Sequence, residues 1–145
     1  MEKLIKKYCA QLAQMEYELF ILAPERDLVS ELDEDYHRAR LWFMSSHTRR
    51  CFGISIVRNT LSEEPATVSD TAKLLGISRN TVETLANDCE AEGWLVSDRT
   101  IPNYRYLSAT PFTLKVWSSY AERVREVSSR IDFSTTHIAI KALGI

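Results

Sequence analysis

The chain has 145 residues, with 45% hydrophobic and 26% charged residues, which suffices for one compact domain with its own core. No apolar run approaches the length that spans a bilayer, and the N-terminal lysines are followed by Glu16 and Glu18 rather than by an apolar stretch. The sequence therefore predicts neither a membrane-spanning segment nor a secretory signal, and a cytoplasmic location is expected. The formal net charge of −2 provides no broad basic surface for a polyanionic partner.

The residue types that carry catalysis or hold metals are sparse and scattered. The three cysteines are widely spaced and odd in number, which fits neither a zinc site nor a disulfide framework. The three histidines stand alone, and four glycines form no phosphate-binding loop. The sequence therefore predicts no enzyme, no metal and no cofactor. The three cysteines are Cys9, Cys51 and Cys89, and the three histidines are His37, His47 and His137.

Residues 2–22 are predicted to form one long helix that ends before Pro24, with a linker over residues 24–31. A heptad-like apolar stripe follows one side of this helix. Two interpretations are open, a helix packed on its own domain and a seam between two subunits. The stripe contains Leu4, Tyr8, Leu12, Met15, Leu19 and Leu22.

Two further helices are predicted before residue 62. The first has Leu32, Tyr36, Ala39 and Phe43 on one side, with Trp42 beside them, and its pattern breaks around residues 45–48. The second covers residues 49–61. Its predicted inward residues are Ile54, Val57 and Leu61, while Gly53 either weakens the helix or marks a close contact.

The stretch from Thr67 to Gly93 has the pattern of two helices joined by a tight turn. Gly76 tolerates the left-handed conformation that ends the first helix, and Ser78 is a suitable cap for the second. The first helix covers Val68–Leu75, is capped by Thr67 or Ser69, and turns Val68, Ala72 and Leu75 inward. The second turns Val82, Leu85, Ala86 and Cys89 inward.

The front of the second helix is polar, as expected of a helix that reads DNA. An ordinary helical hairpin with a solvated face is the alternative. The front residues are Arg79, Asn80, Thr81, Glu83, Thr84 and Asn87. Glu83 is a candidate acceptor for a cytosine amine.

A β-hairpin is predicted directly after Gly93, with strands over residues 94–97 and 104–107. A hairpin in this place completes a winged helix-turn-helix. Arg99, Asn103 and Arg105 are the wing residues able to contact the backbone or the minor groove of DNA, although Arg105 has the alternative of pairing with Asp98 across the hairpin.

The Thr110-Pro111 pair predicts the start of a long helix. At 1.5 Å per residue its roughly 21 residues reach about 30 Å. This length exceeds what the domain needs and indicates contact with another subunit, to which the tail would contribute Ile138, Ile140 and Leu143. The helix carries an apolar stripe of Phe112, Val116, Tyr120, Val124, Val127 and Ile131.

With this order of elements, the chain resembles the MarR family of winged-helix transcription regulators. The match is best over residues 49–110 and is carried by TVSDTAKLLGISRNTVETL, AEGWLV and LSATP. The resemblance implies a mainly α fold with a small β-hairpin wing and a two-fold dimer formed through the terminal helices. It transfers a DNA-contacting role to Ser78, Arg79, Asn80, Thr81 and Thr84.

The wing departs from that family, because it is short and Asp98-Arg99 does not stand where the family has its Asp-x-Arg signature. Arg99 and Arg105 are therefore proposed on their chemistry alone. A single domain is predicted, with dimerisation helices at residues 1–47, a winged helix-turn-helix at 48–110 and a dimerising helix and tail at 111–145.

The predicted function is sequence-specific binding of double-stranded DNA by a homodimer. The alternative is a winged helix that binds proteins, which is favoured by four basic against eight acidic residues over positions 51–100.

Relatives in the family respond to small aromatic ligands or to oxidants. Tyr36, Trp42, Phe43 and Trp117 are candidates for lining an aromatic-effector pocket, with plain core as the alternative. Cys9 and Cys51 are candidate redox-sensing thiols, with inert thiols as the alternative.

Overall fold

The computed structural model describes residues 1–22 and 34–144. The chain divides into two compact units, of which the first combines Met1–Asp33 with Ser119–Ile145 and the second comprises Glu34–Ser118. The predicted linker over residues 24–31, the stop at Pro24 and the inward-facing Leu32 lie outside the described residues. The predicted division of function among residues 1–47, 48–110 and 111–145 stays a prediction.

Helices and a three-stranded antiparallel sheet make up the described chain, which confirms the predicted fold class. The strand order is β1-β3-β2, with Thr67 paired to Tyr106 and Asp98 paired to Tyr106 from the other side. The elements are α1 (Glu2–Glu16), a π-helical segment (Tyr17–Leu22), α2 (Glu34–Met44), α3 (His47–Leu61), β1 (Ala66–Thr67), α4 (Val68–Leu75), α5 (Arg79–Ala91), β2 (Leu95–Asp98), β3 (Tyr106–Ala109), α6 (Pro111–Arg130) and α7 (Ser134–Ala142).

The two central helices begin and end where their capping residues predict. Thr67 forms a capping box with Asp70, and Ser78 accepts a hydrogen bond from the Thr81 N–H at the start of α5. Gly76 ends α4 with a φ of 66°, a conformation that glycine adopts without strain. All four predicted inward residues of α5 are buried. The helix-turn-helix is therefore confirmed.

The strands of the hairpin start later than predicted. After Gly93, which has a φ of 80°, the Trp94 N–H donates to the Cys89 carbonyl at 2.9 Å and so belongs to the end of α5. Before the second strand, the Tyr104 N–H donates to the Ile101 carbonyl at 3.2 Å and closes a turn. Both strands start later because the predicted first residue of each takes part in the hydrogen bonding of the preceding turn.

Of the three residues of α3 predicted to face inward, Val57 is buried as predicted and the other two are not. Ile54 and Leu61 are 44% and 68% exposed, whereas Phe52 and Ile56, spaced four apart, are buried. The helix contacts α2, α4, α5 and β3, so its buried side is set by four neighbours and not by a single apolar stripe. The predicted close contact at Gly53 is confirmed, because a Cβ there would lie 2.7 Å from Cδ1 of Phe43.

Within the first unit, α1 packs against α7. Tyr8 meets Phe133 edge-on at 6.0 Å, and the Gln11 side-chain amide donates to the Asp132 carbonyl at 2.9 Å. Leu19 is buried, whereas Leu12 on the same stripe is exposed. Contacts inside the unit thus account for part of the predicted stripe. Among the described helices, none combines the length and apolarity required to cross a bilayer.

Cys89 on α5 is predicted to be unreactive towards thiol reagents in the folded chain. Burial and, second, the charge of Asp88 raise its pKa from 9.0 to about 12. The folded protein then holds roughly a thousandfold less thiolate at this position than a free cysteine does. At pH 8, iodoacetamide followed by mass spectrometry should label the exposed Cys9 and leave Cys89 unmodified.

In guanidinium all three cysteines should label at similar rates, and equal labelling of Cys89 and Cys9 in the folded protein would contradict the assignment. The raised pKa also gives a sign for stability. Above about pH 9 the unfolded chain releases the Cys89 proton while the folded chain retains it, so stability falls as the pH rises.

Candidate nucleic-acid interface

The N-terminal turn of α5 presents an exposed polar surface. Arg79, Asn80, Thr81 and Thr84 are all exposed, because the apolar residues that hold the helix lie on its opposite side. The Ser78 and Thr81 hydroxyl oxygens lie 2.8 Å apart, and the Thr84 hydroxyl donates to the Asn80 carbonyl at 3.1 Å. Local hydrogen bonds therefore orient the hydroxyls that were predicted to contact DNA.

Arg105 on the inner face of the wing is the centre of a polar network with α5. Its Nε donates to the Ser97 hydroxyl at 2.8 Å, and its Nη1 donates to the Glu83 carboxylate at 2.6 Å and to the Asn87 side-chain oxygen at 2.9 Å. Its Nη2 donates to the Glu90 carboxylate at 3.0 Å. The side chain of Arg105 is only 7% exposed. The guanidinium thus joins the wing to α5.

This network gives two of the predicted DNA-contacting residues an internal partner. Glu83 and Arg105 bind each other, so neither presents a free charge to DNA. Asp98, the partner considered for Arg105, instead accepts a hydrogen bond from the Thr100 N–H at 2.8 Å. Hydrogen bonds from Thr100 hold the pKa of Asp98 below its ordinary value.

Opposing effects act on the pKa of Glu90. Burial acts to raise its pKa, but hydrogen bonds from Ser97 and Arg99 and the charge of Arg105 outweigh burial, so the pKa is lowered from 4.5. Because the lowered pKa belongs to the folded state, this carboxylate stabilises the fold above pH 4.5. The contribution is lost as the pH falls through the lowered value.

Arg79 differs from the two arginines of the wing. Arg99 lies 3.4 Å from the Glu90 carboxylate, and Arg105 is buried, whereas Arg79 has no acidic partner among the described residues. Two shallow, open depressions adjoin Arg79, and both also include Asn103 and Tyr104 of the wing. The start of α5 and the tip of the wing therefore border one common surface.

The aromatic residues considered for an effector pocket pack on one another within the second unit. The ring centroid of Phe43 lies 5.0 Å from that of Trp42 and 6.1 Å from that of Trp117, and Tyr36 is buried. A cavity lined in part by Phe43 has a volume of about 10 Å³, which is the space of one water molecule. An aromatic ligand would have to separate these rings.

The two candidate thiols have different surroundings. The Cys51 sulfur lies 3.5 Å from Nε2 of His47 on the preceding turn of α3, and Cys9 is exposed on α1. Redox sensing by either thiol stays a prediction. The described residues contain no group of three potential metal ligands.

Sequence reasoning missed Ser97 and Tyr104 as parts of this site. A signal for the network was nevertheless present. Arg105 directly precedes β3 and stands two and four residues before the buried Leu107 and Ala109, and the period of two along a strand places all three on the inner face.

No protein-family model matches the chain, and no curated protein matches it. Among solved structures, it is similar to MepR, a transcription regulator of the Staphylococcus aureus multidrug efflux pump MepA, with 16% identity, a TM-score of 0.53, and coverage of 85% of this chain and 93% of MepR. It is also similar to disulfide-formed AbfR, with 13% identity, a TM-score of 0.50, and coverage of 99% of this chain and 94% of AbfR. The fold is the MarR-like winged helix-turn-helix. Its solved neighbours are transcription regulators rather than enzymes.

Proposed function

We propose that this chain is a cytoplasmic transcription regulator that binds double-stranded DNA as a homodimer. The observation that carries the proposal is the exposed N-terminal turn of α5, where Arg79 has no acidic partner among the described residues. Its cation and neighbouring hydrogen-bonding groups suit the edges and phosphates of a duplex. The likeness in fold to MepR, which is named as a transcription regulator, supports the same conclusion.

In this mechanism α5 enters the major groove with its N-terminal turn first. Arg79 binds guanine edges and Asn80 binds adenine edges, the pairings that bidentate geometry favours. The hydroxyls of Ser78, Thr81 and Thr84 hold phosphates together with backbone N–H groups. Glu83 supports the wing through Arg105 and does not read a base. Asn103 lies at the wing for contacts to the backbone, and Arg99 would have to leave its Glu90 partner to join them.

The homodimer would form through the first unit. Ile5, Leu12 and Ile21 are exposed on its N-terminal helical segment, and Ile138 and Leu143 are exposed near the chain's end. Apolar residues of this size on terminal helices are suited to burial against a second copy. Two recognition helices would then meet successive major grooves about 34 Å apart on a near-palindromic site.

The proposal is tested by selecting duplexes from random-sequence DNA and measuring affinity at two salt concentrations. Arg79→Ala should weaken binding to the selected site by about 1–3 kcal/mol and relax the preference at one base pair. Arg58→Ala removes another exposed arginine, on α3, and should leave affinity unchanged. Wild-type affinity for Arg79→Ala would contradict the assignment of Arg79.

Protein binding is the second candidate function. The acidic balance of residues 51–100 favoured it, and the exposed Leu61 and Leu74 are suitable contacts for a protein. The pairing of Glu83 and Glu90 with arginines weakens the argument from charge. Steep loss of duplex affinity with rising salt would favour DNA binding, because counterion release underlies that dependence.

A further inference from the structure

The positive charges of the wing are compensated within the protein. Arg105 is bound to Glu83 and Glu90, and Arg99 shares the Glu90 carboxylate. A contact between the wing and DNA that depended on these arginines would compete with ion pairs already formed. A contact between the wing and DNA is therefore expected from the uncharged residues of the wing.

The tip of the wing exposes two large apolar side chains. Ile101 and Tyr104 are 51% and 53% exposed, and the Tyr104 ring stacks on Tyr106 at 6.3 Å with an angle of 27° between the planes. The turn beneath them is defined by the hydrogen bond between Tyr104 N–H and the Ile101 carbonyl and by Asn103, whose φ is 68°. The tip thus presents an aromatic ring in a defined orientation.

The position of this ring indicates its partner. Tyr104 borders both depressions that adjoin Arg79, so a duplex bound by Arg79 would contact the wing tip. Arg79 has no acidic partner among the described residues, which makes the surface next to the ring attractive to an anion. A nucleic acid combines that anion with sugar and base edges on which an apolar side chain can pack.

We propose that the wing tip binds the minor groove of DNA through an uncharged contact made by Tyr104 and Ile101. The inference rests on the proposed function and specifies how the wing takes part in it. The Tyr104 ring packs on sugar and base edges next to the major groove that receives α5, and Ile101 extends this apolar contact. The Arg105 network holds the wing against α5, so helix and wing reach the duplex as one body.

The test uses the full chain and a selected duplex. Tyr104→Ala should weaken binding by about tenfold, in the range of one aromatic contact to a base, and Ile101→Ala should weaken it by a smaller factor. The salt slope should equal that of the wild type, because no phosphate contact is lost. Hydroxyl-radical footprinting should show loss of protection in the minor groove flanking the α5 site. Tyr104→Phe should bind as the wild type does.

Leu61→Ala is the matched control for Ile101→Ala. Leu61 is 68% exposed next to Thr60, whose hydroxyl accepts a hydrogen bond from the Ala109 N–H at the end of β3 away from the tip. Its replacement should change neither affinity nor footprint. Circular dichroism and thermal unfolding verify that each variant is folded, as expected for substitutions at exposed positions.

The outcomes separate this inference from the proposed function. Wild-type affinity for Tyr104→Ala, with weaker binding by Arg79→Ala, would overturn the wing contact and leave the function in place. Equal weakening by Tyr104→Phe and Tyr104→Ala would assign the effect to the hydroxyl and would overturn the ring contact. A wild-type protein that binds no duplex at low salt would overturn both.

Discussion

Replacing Arg105 by methionine should lower the free energy of unfolding by about 3 kcal/mol, near the lower end of the cost of removing one partner from a buried ion pair. The side chain is 7% exposed and donates to four groups on β2 and α5. Its loss leaves Glu83 without a cation, while Glu90 keeps only the exposed Arg99 at 3.4 Å. Glu83 and Glu90 each keep 34% exposure, so water relieves part of the penalty. Urea unfolding followed by circular dichroism measures the effect.

The matched control is Arg99→Met in the same wing. Arg99 is 56% exposed and lies 3.4 Å from the same Glu90 carboxylate, so its replacement should change the free energy of unfolding by less than about 0.5 kcal/mol. Equal losses in the two variants would show that Arg105 contributes no more than a surface ion pair. A loss confined to Arg105→Met would establish the network as the joint between wing and helix.

Replacing Gly53 by valine should lower the free energy of unfolding by about 3 kcal/mol or more, at the upper end of the cost of overpacking a core. A Cβ at Gly53 would lie 2.7 Å from Cδ1 of Phe43 and 2.9 Å from Cζ2 of Trp117. Phe43 packs on the rings of Trp42, Trp94 and Trp117, so it has little room to withdraw. Thermal or urea unfolding would report the loss.

A graded series separates steric conflict from helix propensity. Alanine favours a helix over glycine by about 1 kcal/mol, yet Gly53→Ala should still destabilise, by less than valine does. Ile54→Ala, at the exposed neighbouring position, changes helix propensity without entering the core and should have little effect. A stabilised Gly53→Ala variant would contradict the close contact.

The helix-turn-helix could be predicted because its signals are local. A cap such as Ser78 acts on the first turn of its own helix, and a left-handed glycine such as Gly76 acts on the residues beside it. Apolar spacing then identifies the buried side of α5, which Val82, Leu85 and Ala86 occupy. The exposed front of α5 followed from the same spacing.

The helix α3 shows where local signals stop being sufficient. Four elements contact it, so a single apolar stripe does not describe its surroundings. Ile54 and Leu61 were taken as inward and are exposed, while Ser55 is buried with its hydroxyl bonded to the Phe52 carbonyl at 2.9 Å. A buried hydroxyl satisfied by its own helix cannot be distinguished from a surface serine by pattern alone.

For this protein the sequence by itself determined the winged helix-turn-helix and the polar front of α5, because capping and periodicity act over a few residues. Only the tertiary structure decided which charges are free. Arg105 stands 22 residues from Glu83 and 15 from Glu90, and no local rule relates residues so far apart in the chain. Folding brings the wing against α5, where the buried guanidinium requires carboxylate partners. Arg79 has no acidic partner in the described part of the chain, so its charge is available to bind another molecule.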